Sequence, residues 1–295
     1  MTTIAEAPAE AAPVIEVPGI YGPEQLDEAA YHADPVPAGS LSFSGAKKLL
    51  PPSTPARFAW DRAHPPAPSA SMELGTAAHK MVLGIGPELA VVDAKDWRTK
   101  AAQQKAEEIR ARGGVPLLPD QMAQVKAMAA AIRAHPVARA LFDPERGGSP
   151  EQSVFWVDGT YGIWRRCRID WLPDLNGPQP ILGDFKTTGK SADLRSMTRA
   201  ITDYRYYMQA AWYADGIEAI TGLALPFVFC FQETQPPYLV NHAQLTPADL
   251  RTGREWNAAA CERYRDCTEA GIWPGYPDEV QTIHLPPWVA RGEFE

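Results

Sequence analysis

Arg165-Arg166-Cys167-Arg168-Ile169-Asp170-Trp171, followed after a turn by Ile181-Leu182-Gly183-Asp184-Phe185-Lys186-Thr187-Thr188, is the stretch on which the reading of the chain turns. Side chains alternate across a strand, so Asp184 and Lys186 share one face while Phe185 turns into the core. If the two segments are neighbouring strands, Asp170 at the end of the first meets Asp184. Two carboxylates at such close quarters repel unless a cation joins them. Magnesium suits that place, because carboxylate oxygens, retained waters and a substrate phosphate are the ligands this hard ion prefers; the Phe185 carbonyl is a further donor, and manganese can stand in for magnesium.

Phosphodiester hydrolysis needs a nucleophilic water, countercharge for the transition state and help for the leaving oxygen, most of which a metal supplies. Lys186 then orients or deprotonates the attacking water, or stabilises the developing charge, and the pattern leaves these roles open. Taken alone, Asp-x-Lys is more simply an exposed ion pair that adds little stability. Its company gives it weight.

Glu151 to Val157 and Tyr161 to Trp171 read as strands joined by an Asp158-Gly159 turn, and Pro180 to Thr187 as a third strand after Asn176-Gly177. A helix from about Asp203 to Ile220 ends at Gly222, Pro226 to Glu233 is another strand, and a helix from Pro247 to about Ala270 closes the core. Upstream, a serine of Leu41-Ser42-Phe43-Ser44 caps a short helix that stops at Pro51-Pro52. A second short helix holds Phe58 and Trp60, and helices follow over Met72 to Leu83, Trp97 to about Arg112, and Pro119 to His135. A Pro-rich stretch runs from Pro65 to Pro68. This order of elements predicts an α/β core with a mixed central sheet flanked by helices.

Several side chains in this frame are candidates for the site. His79 can ligate a metal or touch a phosphate, though a lone helical histidine is more often structural. Gln209 and Tyr213, four apart, share a helix face from which an amide and a phenol can reach a DNA backbone or the water shell of a metal; otherwise that face simply packs. Glu151 completes the metal shell, positions a catalytic group, or is a solvated strand end. Arg166 and Arg168 alternate onto the Asp170 face and can hold phosphate, and Ser42, Ser44 and Arg57 are candidates for gripping a DNA end.

The 295 residues suffice for a substantial core, and no uninterrupted apolar run approaches the roughly 20 residues of a membrane-spanning helix. With no basic segment before an apolar one at the N-terminus and only four scattered cysteines, a reducing cytoplasm is expected. The net charge of -8 argues against DNA less than it suggests. Met1 to Ala46 holds seven acidic residues and no Lys or Arg, leaving 28 basic against 29 acidic residues beyond it. A nearly neutral body can still carry a basic groove. Residues 1–38, rich in Ala, Pro and Glu, are predicted to be a disordered acidic tail, followed by one domain over 39–275 and an extension over 276–295. Walker and dinucleotide glycine loops are absent.

Taken together, these segments resemble the PD-(D/E)XK nuclease superfamily, especially its exonuclease VIII (RecE-type) phage branch, from about Leu41 to Trp273. Leu41-Ser42-Phe43-Ser44-Gly45 with Pro55-Ala56-Arg57-Phe58 looks like the N-terminal helices of that branch, Gly75-Thr76-Ala77-Ala78-His79 like its histidine helix, and Gln209-Ala210-Ala211-Trp212-Tyr213 like its Gln-x-x-x-Tyr motif. Glu151 precedes the strand pair as a family glutamate does. The resemblance implies a metal-dependent exonuclease that digests one strand of duplex DNA from its ends, 5′ to 3′. It also implies a homo-oligomeric ring and a RecT-type single-strand annealing partner, with the acidic tail or the segment from Trp288 as docking pieces. Some relatives carry an iron-sulfur cluster, but here no Cys-x-x-Cys pair exists and none is expected. Two alternatives stay open: a CRISPR-associated Cas4-type or endonucleolytic relative of the same fold, and a non-catalytic DNA-binding scaffold.

Overall fold

A seven-stranded sheet organises the molecule; the computed structural model describes residues 13–64, 70–285 and 287–290. In chain order the elements are β1 (Gly19–Tyr21), α1 (Glu28–His32), β2 (Ser40–Ser42), α2 (Phe43–Ala46), a 3-10 turn over Lys47–Leu49, α3 (Pro55–Ala63), α4 (Ala70–Leu83), β3 (Leu89–Val91), α5 (Lys100–Arg110), β4 (Val115–Leu117), α6 (Pro119–Ala134) and α7 (Pro136–Leu141). A second 3-10 turn over Pro144–Arg146 leads to β5 (Ser149–Val157), β6 (Trp164–Leu172), β7 (Leu182–Thr188), α8 (Leu194–Asp203), α9 (Tyr206–Thr221), β8 (Phe227–Glu233), β9 (Val240–Ala243), α10 (Pro247–Ala270) and α11 (Pro287–Ala290).

The strand order is β1-β5-β6-β7-β8-β9, with β2 also paired to β6. The expected hairpin is there, antiparallel, with Val154 opposite Cys167 and Val157 opposite Trp164. The sheet is mixed as predicted: β7 runs parallel to β8 and β2 parallel to β6, while the other pairs are antiparallel.

One register decides where the chemistry sits. β6 and β7 touch in the ladder only at Trp171 and Gly183, and farther along β6 the short β2 takes that edge at Trp164 to Arg166. The two strands therefore splay just beyond their one bridge, at Asp170 and Asp184. On one face, α9, with α10 packed behind it, covers Leu182, Phe229 and Phe231; on the other, α4 and α6 cover Phe185 and Cys230, all fully or nearly fully buried. Ser42 accepts from the Gly45 amide to cap α2, and Thr246 from the Asp249 amide to cap α10.

Three expectations change. Disorder was predicted through residue 38, but residues 13–38 are folded: β1 pairs with β5, and Ile15, Leu26, Tyr31 and Val36 bury against Phe155. Residues 1–12 lie outside the described residues, as do Pro65 to Pro68 and residues 291–295, so the docking segment from Trp288 is described only to the end of α11. The helix expected over Asp203 to Ile220 is two helices, because Arg205 takes a left-handed conformation (φ 59°) between α8 and α9. The second hairpin strand begins at Trp164 rather than Tyr161, since Asp158 accepts from the Thr160 and Tyr161 amides and holds those residues in the turn.

His242 on the edge strand β9 gives the fold an acid-sensitive point. Its ring centre lies 4.9 Å from that of His135, and burial, reinforced by the His135 charge, holds its pKa down to about 4 from an ordinary 6.5. Below about pH 6.5 the unfolded chain takes up a proton that the folded chain refuses, so the contribution of this site is intact above that value and drains as pH falls toward 4. Thermal melts at about pH 7 and about pH 4.5 should show a smaller acid drop for His242→Asn than for the wild type. Equal drops would mean that His242 is not the group responsible.

Candidate active site

Where β6 and β7 splay, the Asp170 carboxylate replaces a ladder contact: its Oδ2 accepts a 2.8 Å hydrogen bond from the Phe185 backbone amide. That bond fixes the spacing of the two acids from neighbouring strands. Asp184, 1 % exposed, points to the α9 side, where its Oδ1 accepts from Gln209 Nε2 at 2.7 Å and its Oδ2 meets Lys186 Nζ at 2.6 Å. The period-2 reading of Asp184, Phe185 and Lys186 is thus what the strand does.

His79 enters from α4. Its Nδ1 lies 2.9 Å from the Gly75 carbonyl one turn back and donates to it, which turns Nε2 toward Asp170 Oδ2 at 3.3 Å. Glu151 stands across the hairpin from Asp170, between the register pairs Pro150 with Trp171 and Gln152 with Ile169. It is a non-glycine residue at φ 54°, and its Oε2 lies 2.6 Å from Arg168 Nε. Left-handed backbone at such a residue persists only where the surroundings impose it, and it collects at functional sites.

The electrostatics describe three closely set acids, Asp170, Asp184 and Glu151, each held against a base. Burial, with the charge of Asp170 added and Lys186 opposing, pushes Asp184 up to about 6. Burial and then Asp170 push Glu151 to about 7 against the pull of Arg168. Burial also presses on Asp170, but its bond to His79 wins and holds it below the ordinary carboxylate range. Burial would lower His79, yet Asp170 lifts it to about 9; Lys186, likewise desolvated, is held above its ordinary value by Asp184 and Asp170 and is an ammonium. Among the described residues no three His, Cys, Asp or Glu side chains form a ready-made cage for an ion. Each acid is instead clasped by a base or an amide that a cation would have to displace or share. The donors nevertheless fit a hard divalent ion, which needs only one or two carboxylates and keeps its waters.

Other expected residues are placed less centrally. Tyr213 packs edge-on to Phe227 (5.9 Å) against the main core, one turn from Gln209. Arg166 is 11 % exposed, and its guanidinium is bound to Asp34 at 2.8 Å and to the Ser40 carbonyl at 2.9 Å. Ser42 and Ser44 share a 3.0 Å hydrogen bond at the start of α2, and Arg57 is exposed on α3. All four cysteines are free and buried, none near another in a ligating set among the described residues.

Residues 42–286 match a family described as a PDDEXK-like domain of unknown function (DUF3799). The chain belongs to this family. The PDDEXK-like fold is seen again in a Eubacterium rectale protein that carries a provisional exonuclease designation, with a TM-score of 0.56 at 12 % identity over 86 % of this chain and 94 % of that one. An alkaline exonuclease from Laribacter hongkongensis aligns at a TM-score of 0.26 and 14 % identity, over 68 % of this chain and 95 % of that one. No curated protein matches the sequence. Within the PDDEXK-like core, Asp170, Asp184 and Lys186 occupy the splayed strand pair.

Two groups beside the PDDEXK-like site escaped sequence reasoning. Tyr206 lays its ring 4.8 Å from Lys186 Nζ, hidden because the helix reading ran straight through it. Glu28 of α1 lies within 4.0 Å of Arg168, in a segment whose composition predicts a disordered tail.

Proposed function

We propose that this chain is a metal-dependent exodeoxyribonuclease that hydrolyses one strand of linear duplex DNA from its end, 5′ to 3′. The observation that carries the reading is the buried Asp184 carboxylate, clamped by Lys186 and Gln209 one splayed strand away from Asp170. Carboxylates brought this close on neighbouring strands are where a divalent cation is bound, displacing or sharing their present partners. His79, Asp170, Asp184 and the Phe185 carbonyl would hold magnesium, with manganese as a substitute. When bound, the ion supplies Lewis acidity at the phosphoryl oxygen and a more acidic water.

The residues of the chain itself do the rest. Lys186, kept as an ammonium by Asp184 and Asp170, is a donor; it orients the attacking water or stabilises charge on the phosphate rather than abstracting a proton. Gln209 fixes the rotation of Asp184, the Gly75 carbonyl fixes the ring of His79, and Arg168 holds Glu151 against the site. The exonuclease designation of the Eubacterium rectale protein supports cutting from ends. The sequence resemblance to the RecE-type branch supports the polarity, a ring-shaped homo-oligomer, and transfer of the 3′ single strand to a RecT-type annealing protein in phage-type recombination.

Linear duplex DNA labelled at the 5′ or the 3′ end, with magnesium or EDTA and with closed circular DNA alongside, tests the proposal. Release of the 5′ label in short products, dependent on magnesium and absent on circles, is the expected result. Cutting of closed circles would make the protein an endonuclease, and binding without cleavage would leave only the scaffold reading.

A further inference from the structure

The left-handed turn at Arg205 is held from several sides. Its guanidinium donates to the Lys47 carbonyl at 3.3 Å and to the Pro51 carbonyl, and lies 4.9 Å from the centre of the Trp256 ring. A non-glycine residue keeps such a backbone only where its surroundings over-determine it. The turn sets the two flanking tyrosines side by side. The Tyr204 and Tyr206 rings are 5.6 Å apart and inclined by 33°, and the Tyr206 ring lies 5.7 Å from that of Phe229 and 4.8 Å from the Lys186 ammonium. Tyr206 is half-buried, but Tyr204 is 57 % exposed, so core packing accounts for the first ring and not for the second.

We propose that Tyr204 and Tyr206 form a stacking shelf for an unpaired nucleobase at the end of the substrate strand, beside the phosphate that Lys186 serves. The inference rests on the nuclease reading above and adds a substrate contact to it. Every base has a π-face, so stacking on an aromatic ring tolerates any sequence, as an enzyme that consumes a strand base by base requires. Hydrogen-bonded readout would stall at the wrong base. Lys186 above the ring face gains a cation–π contact that keeps its ammonium on the side where the shelf delivers the nucleotide.

The test uses full-length protein carrying Asp170→Asn to prevent cleavage, and a duplex oligonucleotide with 2-aminopurine at its terminal nucleotide. Binding is followed by anisotropy and stacking by loss of 2-aminopurine fluorescence. Because Tyr204 is more than half exposed, its replacement does not threaten the fold. Tyr204→Ala is expected to abolish most of the quenching and weaken binding about tenfold, and Tyr204→Trp to restore both. Full quenching and unchanged affinity in Tyr204→Ala would overturn the shelf and leave the nuclease reading standing. If neither the parent nor the Tyr204 variants bind DNA, the nuclease reading fails and the shelf falls with it.

Discussion

Asp184→Asn is expected to lower the rate of strand cleavage by about 1,000-fold or more while the protein stays folded. Asparagine has the same shape, so Gln209 Nε2 still finds an acceptor where it now has one at 2.7 Å. What disappears is the negative charge that would help bind a cation and that holds Lys186 at 2.6 Å. The structural cost is small for a specific reason: burial pushes the carboxyl up to about 6, so removing the charge also removes a desolvation penalty. Lys186→Met should behave differently. It strands the Asp184 charge at a position 1 % exposed, and breaking a buried pair from one side costs about 3–5 kcal/mol. Single-turnover rates and thermal melts of both variants check the pair of expectations: both inactive, with Lys186→Met melting well below Asp184→Asn. An Asp184→Asn protein that kept more than about a tenth of the wild-type rate would remove Asp184 from the reaction centre.

Gly253→Ala is expected to cost about 3 kcal/mol, although alanine is the better helix former by about 1 kcal/mol. The glycine lies in α10 where that helix crosses α9. A Cβ there would stand 2.3 Å from the Tyr207 carbonyl oxygen and 3.0 Å from Ala211 Cβ. A backbone carbonyl cannot rotate aside as a side chain can, so the helices must part. Asn257, which donates to the Met208 carbonyl at 3.0 Å in the buried seam, would lose its partner as they did. At roughly 2–4 °C per kcal/mol, the melting temperature should fall by roughly 6–12 °C. Because α9 carries Gln209 and Tyr206, the variant should also cleave more slowly at temperatures where it remains folded. A melt within about 2 °C of wild type would show that α9 and α10 have room to spare at this crossing.

The chemistry was more legible in the sequence than the scaffold that holds it. Alternation alone placed Asp184 and Lys186 together and sent Phe185 inward, because a strand has no other way to arrange three consecutive side chains. Gln209 and His79 entered through the segments that accompany them, and the geometry joins each to one of the two acids. The splay of β6 from β7 had no local signal, since it depends on the three-residue strand β2 competing for the same edge. Arg205 is neither Gly nor Asn, so its left-handed turn looked like continuous helix. The failure over residues 13–38 has a similar cause: Ile15, Leu26, Tyr31 and Val36 follow no helical or strand period and become a core only when Phe155 is beneath them.

Folding of that leading segment changes what counts as a minimal unit of the protein. The family likeness starts at residue 42, whereas β1 at Gly19–Tyr21 occupies the outer margin of β5. A fragment cut at the start of the likeness would lay bare the amides and carbonyls of β5, a ready template for strands of neighbouring chains. It would also deprive Arg166 of its Asp34 partner. A clone trimmed to the recognisable domain is therefore expected to lose solubility while it still holds Asp170, Asp184 and Lys186.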